Sequence, residues 1–206
     1  MSALFAAEHA MAGRIIILNG APRSGKSSLA RAVQLRVPGR WINWGVDAFN
    51  ASLPHALFPG IGLRPGGERA DLEDAVRALY RAFFAHVAGL SRAGFDVVAD
   101  LGLHADYAAP FDPMDILAIE LAGLPLLLVG VDCDIDTIMA RRNADPQSGL
   151  YAGGADVPAP VARWQQAVHA GKRYDLRLDM AIMSPEAGAD RLALVLADRA
   201  IDCDPA

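Results

Sequence analysis

Lysine is nearly missing from this chain: of 19 basic residues only Lys26 and Lys172 are lysines. Cysteine is almost as scarce. Cys133 and Cys203 cannot build a disulfide framework and lack metal-ligand spacing, so a reducing, cytoplasmic setting is expected. The five histidines, His9, His55, His86, His104 and His169, show no metal-binding spacing either. Positive charge is not in excess. The formal balance of −5 argues against a nucleic-acid or anionic-membrane partner held by bulk charge. No apolar run reaches the roughly 18–20 residues of a membrane helix. The nearest, Leu121–Val131, is broken by Gly123 and Pro125. Met1–Ala12 has no basic start and only a short apolar stretch, so it reads as a flexible extension rather than a secretory signal.

The remaining composition is that of a folded domain. With 206 residues, 53% hydrophobic and 21% charged, the chain suits one domain over 13–206 with a real core. Arg14–Asn19 is an apolar, β-branched run ended by Gly20, the pattern of a strand buried on both faces. Further strands are expected at 40–46, 95–100, 125–131 and 175–179. Helices are expected at 27–36, 48–53, 68–92, 112–122, 134–143, 161–170 and 185–201. The longest shows i, i+3, i+4 apolar spacing from Leu72 to Leu90. Strands alternating with helices predict an α/β fold, a three-layer arrangement around a central, mostly parallel five-stranded sheet. The Gly-, Pro- and Ala-rich stretch 144–160 reads as part of a mobile lid spanning about 141–163.

The most informative stretch is Gly20-Ala21-Pro22-Arg23-Ser24-Gly25-Lys26-Ser27, which fits G-x-x-x-x-G-K-[ST] at every fixed position. It follows a buried strand and opens a helix, which is the P-loop NTPase context. Glycine allows the backbone to curl around a phosphate chain, and the helix start presents unpaired amides and a positive dipole end. Lys26 can reach the β- and γ-phosphates of ATP, the Ser27 hydroxyl can ligate Mg²⁺, and Arg23 can add a charge. Ser28 completes the cofactor-binding set. One of the chain's two lysines thus sits in this loop.

Strands of a parallel sheet finish on one edge, so carboxylates at strand ends face the phosphate loop. Asp47, after the second strand, either accepts the proton of an acceptor hydroxyl or merely caps the next helix. Asp100, ending Val97-Val98-Ala99, either supports Mg²⁺ and the acceptor or is a strand-end turn residue. Arg141 and Arg142 before the lid, and Arg163 after it, supply candidates to neutralise charge on a transferred phosphoryl group, with the rest solvated. His104 is a candidate substrate contact on the same edge. His86 projects onto the apolar side of its helix, which favours a buried histidine. Trp41, Trp44, Phe49 and Phe58 could wall an acceptor site or simply pack the core.

No N-K-x-D element follows the loop, so a guanine reader is not indicated, and the length leaves little room for motor-ATPase modules. A small kinase plan remains. The residues Ile-Ile-Leu-Asn-Gly leading into Ser-Gly-Lys-Ser, then Trp41 with Gly45-Val46-Asp47, resemble the chloramphenicol phosphotransferase-like proteins. Val129-Gly130-Val131 with Cys133-Asp134, Arg141, Val168-His169 and Tyr174-Asp175 extend the likeness over about residues 14–180. The resemblance implies an ATP-dependent O-phosphotransferase that inactivates an antibiotic at a primary hydroxyl. It implies Asp47 as base, Lys26 and Ser27 at the phosphates and Arg141 from the lid; by their positions, Trp44, Asp47, Asp100 and His104 are the residues expected to face the acceptor. The chain departs from the family over Asn50–Gly67, in a longer lid, and in having Ala99-Asp100 where two acids are usual. Two other readings stay open: a kinase for a sugar, nucleoside or hydroxy acid, and a nucleotide-binding regulator that transfers nothing. Oligomeric state is equally open, a homo-oligomer included.

Overall fold

Four side chains in succession, Ile15, Ile16, Ile17 and Leu18, are wholly buried, which only a strand sandwiched between two layers can achieve. In the computed structural model, which describes residues 11–57, 69–145 and 156–202, this run is β1 (Ile15–Asn19), at the middle of the sheet. It pairs in parallel with β3 (Asp96–Leu101) on one side and β4 (Leu126–Asp132) on the other. The short strands β2 (Trp41–Asn43) and β5 (Leu176–Asp179) flank them, giving the order β2-β3-β1-β4-β5, all parallel.

Parallel neighbours require crossover connections, and the helices supply them on both faces. Ile15 and Ile17 turn toward α3 (Glu73–Arg92) and α4 (Pro113–Glu120), where Tyr80, Phe83 and Phe84 fill the layer. Ile16 and Leu18 turn the other way, toward α1 (Lys26–Arg36) and α7 (Pro185–Asp202). A third, smaller cluster lies beside the end of β1. It joins Ala21 and Cys133 to Ile138 of α5 (Ile135–Ala144) and to Trp164 of α6 (Ala159–Ala167), with Val168 just after it.

The expected α/β architecture is therefore the observed one, and the differences lie at element ends. The second strand was expected through residue 46, yet β2 stops at Asn43 and α2 (Val46–Asn50) begins at once. Gly45 explains the bend: a Cβ there would lie 1.8 Å from Asp100 Oδ1, so only glycine lets the chain turn over that carboxylate. Helix α3 starts at Glu73 rather than 68, after a 3₁₀ turn at Ala70–Leu72. Helix α6 starts earlier than expected because Pro160 sits in its first turn, where its missing N–H removes nothing. His86 is exposed rather than buried, stacked on Trp44 with ring centroids 4.4 Å apart. The expected extension 1–12 (apart from Met11 and Ala12), Phe58, and the lid stretch 146–155 lie outside the described residues.

The aromatic layer under α3 carries much of this packing, with Phe83 set edge-on to both Phe49 and Phe84. Phe83→Ala should destabilise the fold by about 3–5 kcal/mol. Chemical denaturation followed by circular dichroism checks this as a lowered midpoint with unchanged slope.

Candidate active site

The site begins where β1 ends. Gly20 passes so close to β4 that a Cβ would lie 2.4 Å from the Val131 carbonyl oxygen, which leaves no room for a side chain. The bend then uses two left-handed residues, Arg23 at φ 68° and Gly25 at φ 103°. Helix α1 follows directly with Gly25 at its cap, no side-chain cap bond and no acidic residue in its first turn. A helix start without a carboxylate of its own is an open anion seat.

Three charged side chains converge on that seat. The Lys26 ammonium donates to the Ala21 carbonyl at 2.7 Å, folded back over the loop. Ser27 Oγ donates to Asp100 Oδ2 at 2.7 Å, tying the start of α1 to the end of β3. Asp47, in the first turn of α2, is the third. The helix cap there is Gly45, and Asp47 makes no side-chain cap bond, so the capping role is not the one its carboxylate plays. Burial lowers the Lys26 pKa to about 8, partly opposed by Asp100 and Asp47. Asp47 has an exposed face, yet the surrounding protein raises its carboxyl above the usual range, Asp100 adds to the rise, and Lys26 opposes it.

The arrangement suits a magnesium-bound phosphate chain. A hydroxyl and a carboxylate oxygen are hard donors of the kind Mg²⁺ takes, with phosphate oxygens and waters completing its shell. Among the described residues no cluster of three or more His, Cys, Asp or Glu side chains could hold a metal alone. Ser27 and Asp100 would therefore share the ion with the phosphates.

The arginines near the loop are held as follows. Arg141 grips the back of the loop, donating to the Arg23 carbonyl at 3.2 Å and to the Met180 carbonyl at 2.6 Å. Arg23 turns away from the seat and pairs with Asp145, at 2.9 Å to the carboxylate and 2.6 Å to the backbone oxygen. Arg163 makes a two-pronged pair with Asp106, at 2.7 and 2.9 Å, joining α6 to the loop after β3. Arg142 is buried rather than solvated.

The other candidates sit as follows. His104 is wholly buried, its Nδ1 accepting from the Asp106 N–H at 3.1 Å and its ring stacked on Tyr107. In this arrangement its ring is a support beneath the loop after β3. Trp41 and Phe49 are buried in the core, and Trp44 is half-buried against His86. Ala21 and Ser24 are buried within the loop, Pro22 is half-buried and Ser28 is exposed. Sequence reasoning missed Asn19, the polar end of an otherwise apolar strand and itself wholly buried. The signal was available: a polar residue directly before the loop glycine.

A central five-stranded parallel sheet with a glycine-flanked anion seat after its first strand and carboxylates facing it defines a P-loop kinase fold. The chloramphenicol phosphotransferase-like family model matches residues 13–197, and the chain belongs to that family. No curated protein matches the chain in sequence. Among solved structures, the fold is similar to a sugar kinase from Janibacter sp. HTCC2649, at 20% identity and TM-score 0.59, covering 90% of this chain and 95% of that one. It is also similar to the APS kinase of Mycobacterium tuberculosis in complex with AMPPNP and APS, at 19% identity and TM-score 0.59, covering 90% and 98%. The tunicamycin resistance protein of Deinococcus radiodurans shares it at 16% identity and TM-score 0.56, covering 89% and 95%. At these identities the likeness is one of fold.

The Lys26 environment fixes a pH signature. With its pKa lowered in the folded state, Lys26 is partly neutral above about 8, while the unfolded chain still holds the proton. An arriving polyphosphate restores the charge, so binding takes up protons in that range. Titrating ATP and magnesium at pH 8.5 in buffers of different ionisation enthalpy should give buffer-dependent heats, and Lys26→Met should remove that dependence. Gly45→Ala should push Asp100 aside and weaken binding measured with magnesium at least about tenfold, or 1.4 kcal/mol, with little change in its absence.

Proposed function

We propose that this chain is an ATP-dependent O-phosphotransferase acting on a hydroxyl of a small molecule, with Asp47 as general base. The observation that supports this reading is Asp47 close to Lys26 and Asp100, with loss of solvent raising its carboxyl above the usual range. A base must face the phosphate seat without being consumed by the fold. Asp47 meets that condition because the capping position of α2 is filled by glycine.

In this reading the loop amides and Lys26 hold the phosphate chain, and Ser27 with Asp100 orient the magnesium ion, which supplies charge to the phosphate oxygens when bound. Asp47 takes the proton of the acceptor hydroxyl as that oxygen attacks the γ-phosphorus, and ADP departs with the loop-bound phosphates. Lys26 stays paired with the charge that develops. Arg141, anchored to the Arg23 and Met180 carbonyls, braces the loop from behind during transfer. Family membership supports chloramphenicol-like antibiotics as first acceptors to try. The sugar kinase and tunicamycin resistance protein among the fold relatives support adding sugars and nucleoside antibiotics.

The test is a panel of hydroxyl compounds, chloramphenicol included, scored by acceptor-dependent ADP release. Asp47→Asn should keep ATP affinity and lose about 100-fold or more in transfer rate, at or above the lower end of the usual contribution of a general base. Turnover near wild type in that variant would remove Asp47 from the role. Nucleotide binding with no ADP release above background for any compound would favour a regulator instead.

A further inference from the structure

Asn19 is wholly buried at the root of the phosphate loop, and its amide is fully used. Its Oδ1 accepts the Leu103 N–H at 2.6 Å, from the turn after β3. Its Nδ2 donates to the Val168 carbonyl at 2.9 Å, just past α6, and to the Tyr174 hydroxyl at 2.7 Å, before β5. Because Leu103 can only donate and Val168 can only accept, one orientation of the amide satisfies all three partners.

Tyr174 extends the chain of bonds. Its hydroxyl lies 2.8 Å from His169 Nδ1, and its ring packs on Gly130, where a Cβ would lie 2.9 Å from it. The space at Gly130 is thus reserved for this tyrosine. On its other side His169 approaches Asp132, with Nε2 3.5 Å from the carboxylate, and Asp132 is also held by Arg177. Helix α6 touches the loop a second time, since Trp164 packs in one cluster with Ala21. Three segments outside the phosphate loop are therefore fastened to the one residue from which the loop departs.

We propose that Asn19, braced by Tyr174, is a positioning residue that couples the phosphate loop to the turn after β3 and to the end of α6. The inference rests on the reading of the loop as a nucleotide site and deepens it. Filling the seat stiffens the loop root, and Asn19 passes that constraint to Leu103 and Val168. The turn after β3 and the end of α6 therefore become more protected when nucleotide is bound.

Hydrogen exchange read by mass spectrometry tests this on the full chain, with and without ATP and magnesium. In the wild type, nucleotide should slow exchange in the loop and also at 102–106 and 164–170. Tyr174→Phe, which removes one hydroxyl, and Asn19→Asp, which keeps the shape but not the donors, should hold ATP affinity within about tenfold and keep the loop protection. Both should lose most of the protection at the two remote segments, about fivefold or more. A bond that merely stabilised the fold would raise exchange equally with and without nucleotide and leave the difference intact. That outcome, or remote segments indifferent to nucleotide in the wild type, overturns the coupling while leaving nucleotide binding standing. A wild type that binds no nucleotide overturns both readings together.

Discussion

The bond between Ser27 and Asp100 is the point on which the rest of the molecule turns. It exists because β1 and β3 are parallel neighbours whose ends fall level, Leu18 opposite Asp100 and Asn19 opposite Leu101. An antiparallel pairing would send one of these ends to the far edge of the sheet. Parallel pairing demands crossovers, crossovers demand helices on both faces, and helices on both faces demand strands that are apolar throughout. The isoleucines of β1 meet that demand, so the chemistry at the edge and the hydrophobicity of the centre are consequences of one topology.

Crowding at the edge then sets the electrostatics. Two carboxylates and an ammonium lie close together, and loss of solvent acts on Lys26 and Asp47. Loss of solvent holds Lys26 less basic than a free lysine, against the opposing pull of Asp100 and Asp47, and holds Asp47 less acidic than a free aspartate, with Asp100 adding to that rise. Neither would be so displaced on a flat surface. The approach of Gly45 to Asp100, possible only without a Cβ, brings α2 and its carboxylate into that company.

The loop, the alternation of strands and helices and the five-strand count are legible from the sequence because they rest on local signals. Glycine spacing and β-branched runs mark their own positions, and the structure adds Asp112 and Asp134 as caps of α4 and α5, accepting from Met114 and Thr137. The side of a helix that faces outward is less local. His86 falls in projection among apolar residues, yet its surroundings include Trp44, just past the edge strand β2, against which it lies at the surface. Asn19 is illegible for a stronger reason: its partners stand 84 and 149 positions away. The arginines near the seat were recognisable as candidates, but which carbonyl or acid each one takes depends on backbone turns that carry no sequence pattern.

Arg23 shows what such a loop gains from a residue that does not suit it. A left-handed conformation disfavours an arginine by roughly 1–2 kcal/mol relative to the right-handed one, and its ties to Asp145 hold it there. Glycine would adopt the same shape without strain, yet it would also wander among many others before any anion arrived. A stapled side chain narrows the ensemble in advance, so less disorder has to be surrendered when the seat fills. Stiffness of the cradle is one thing this arginine contributes.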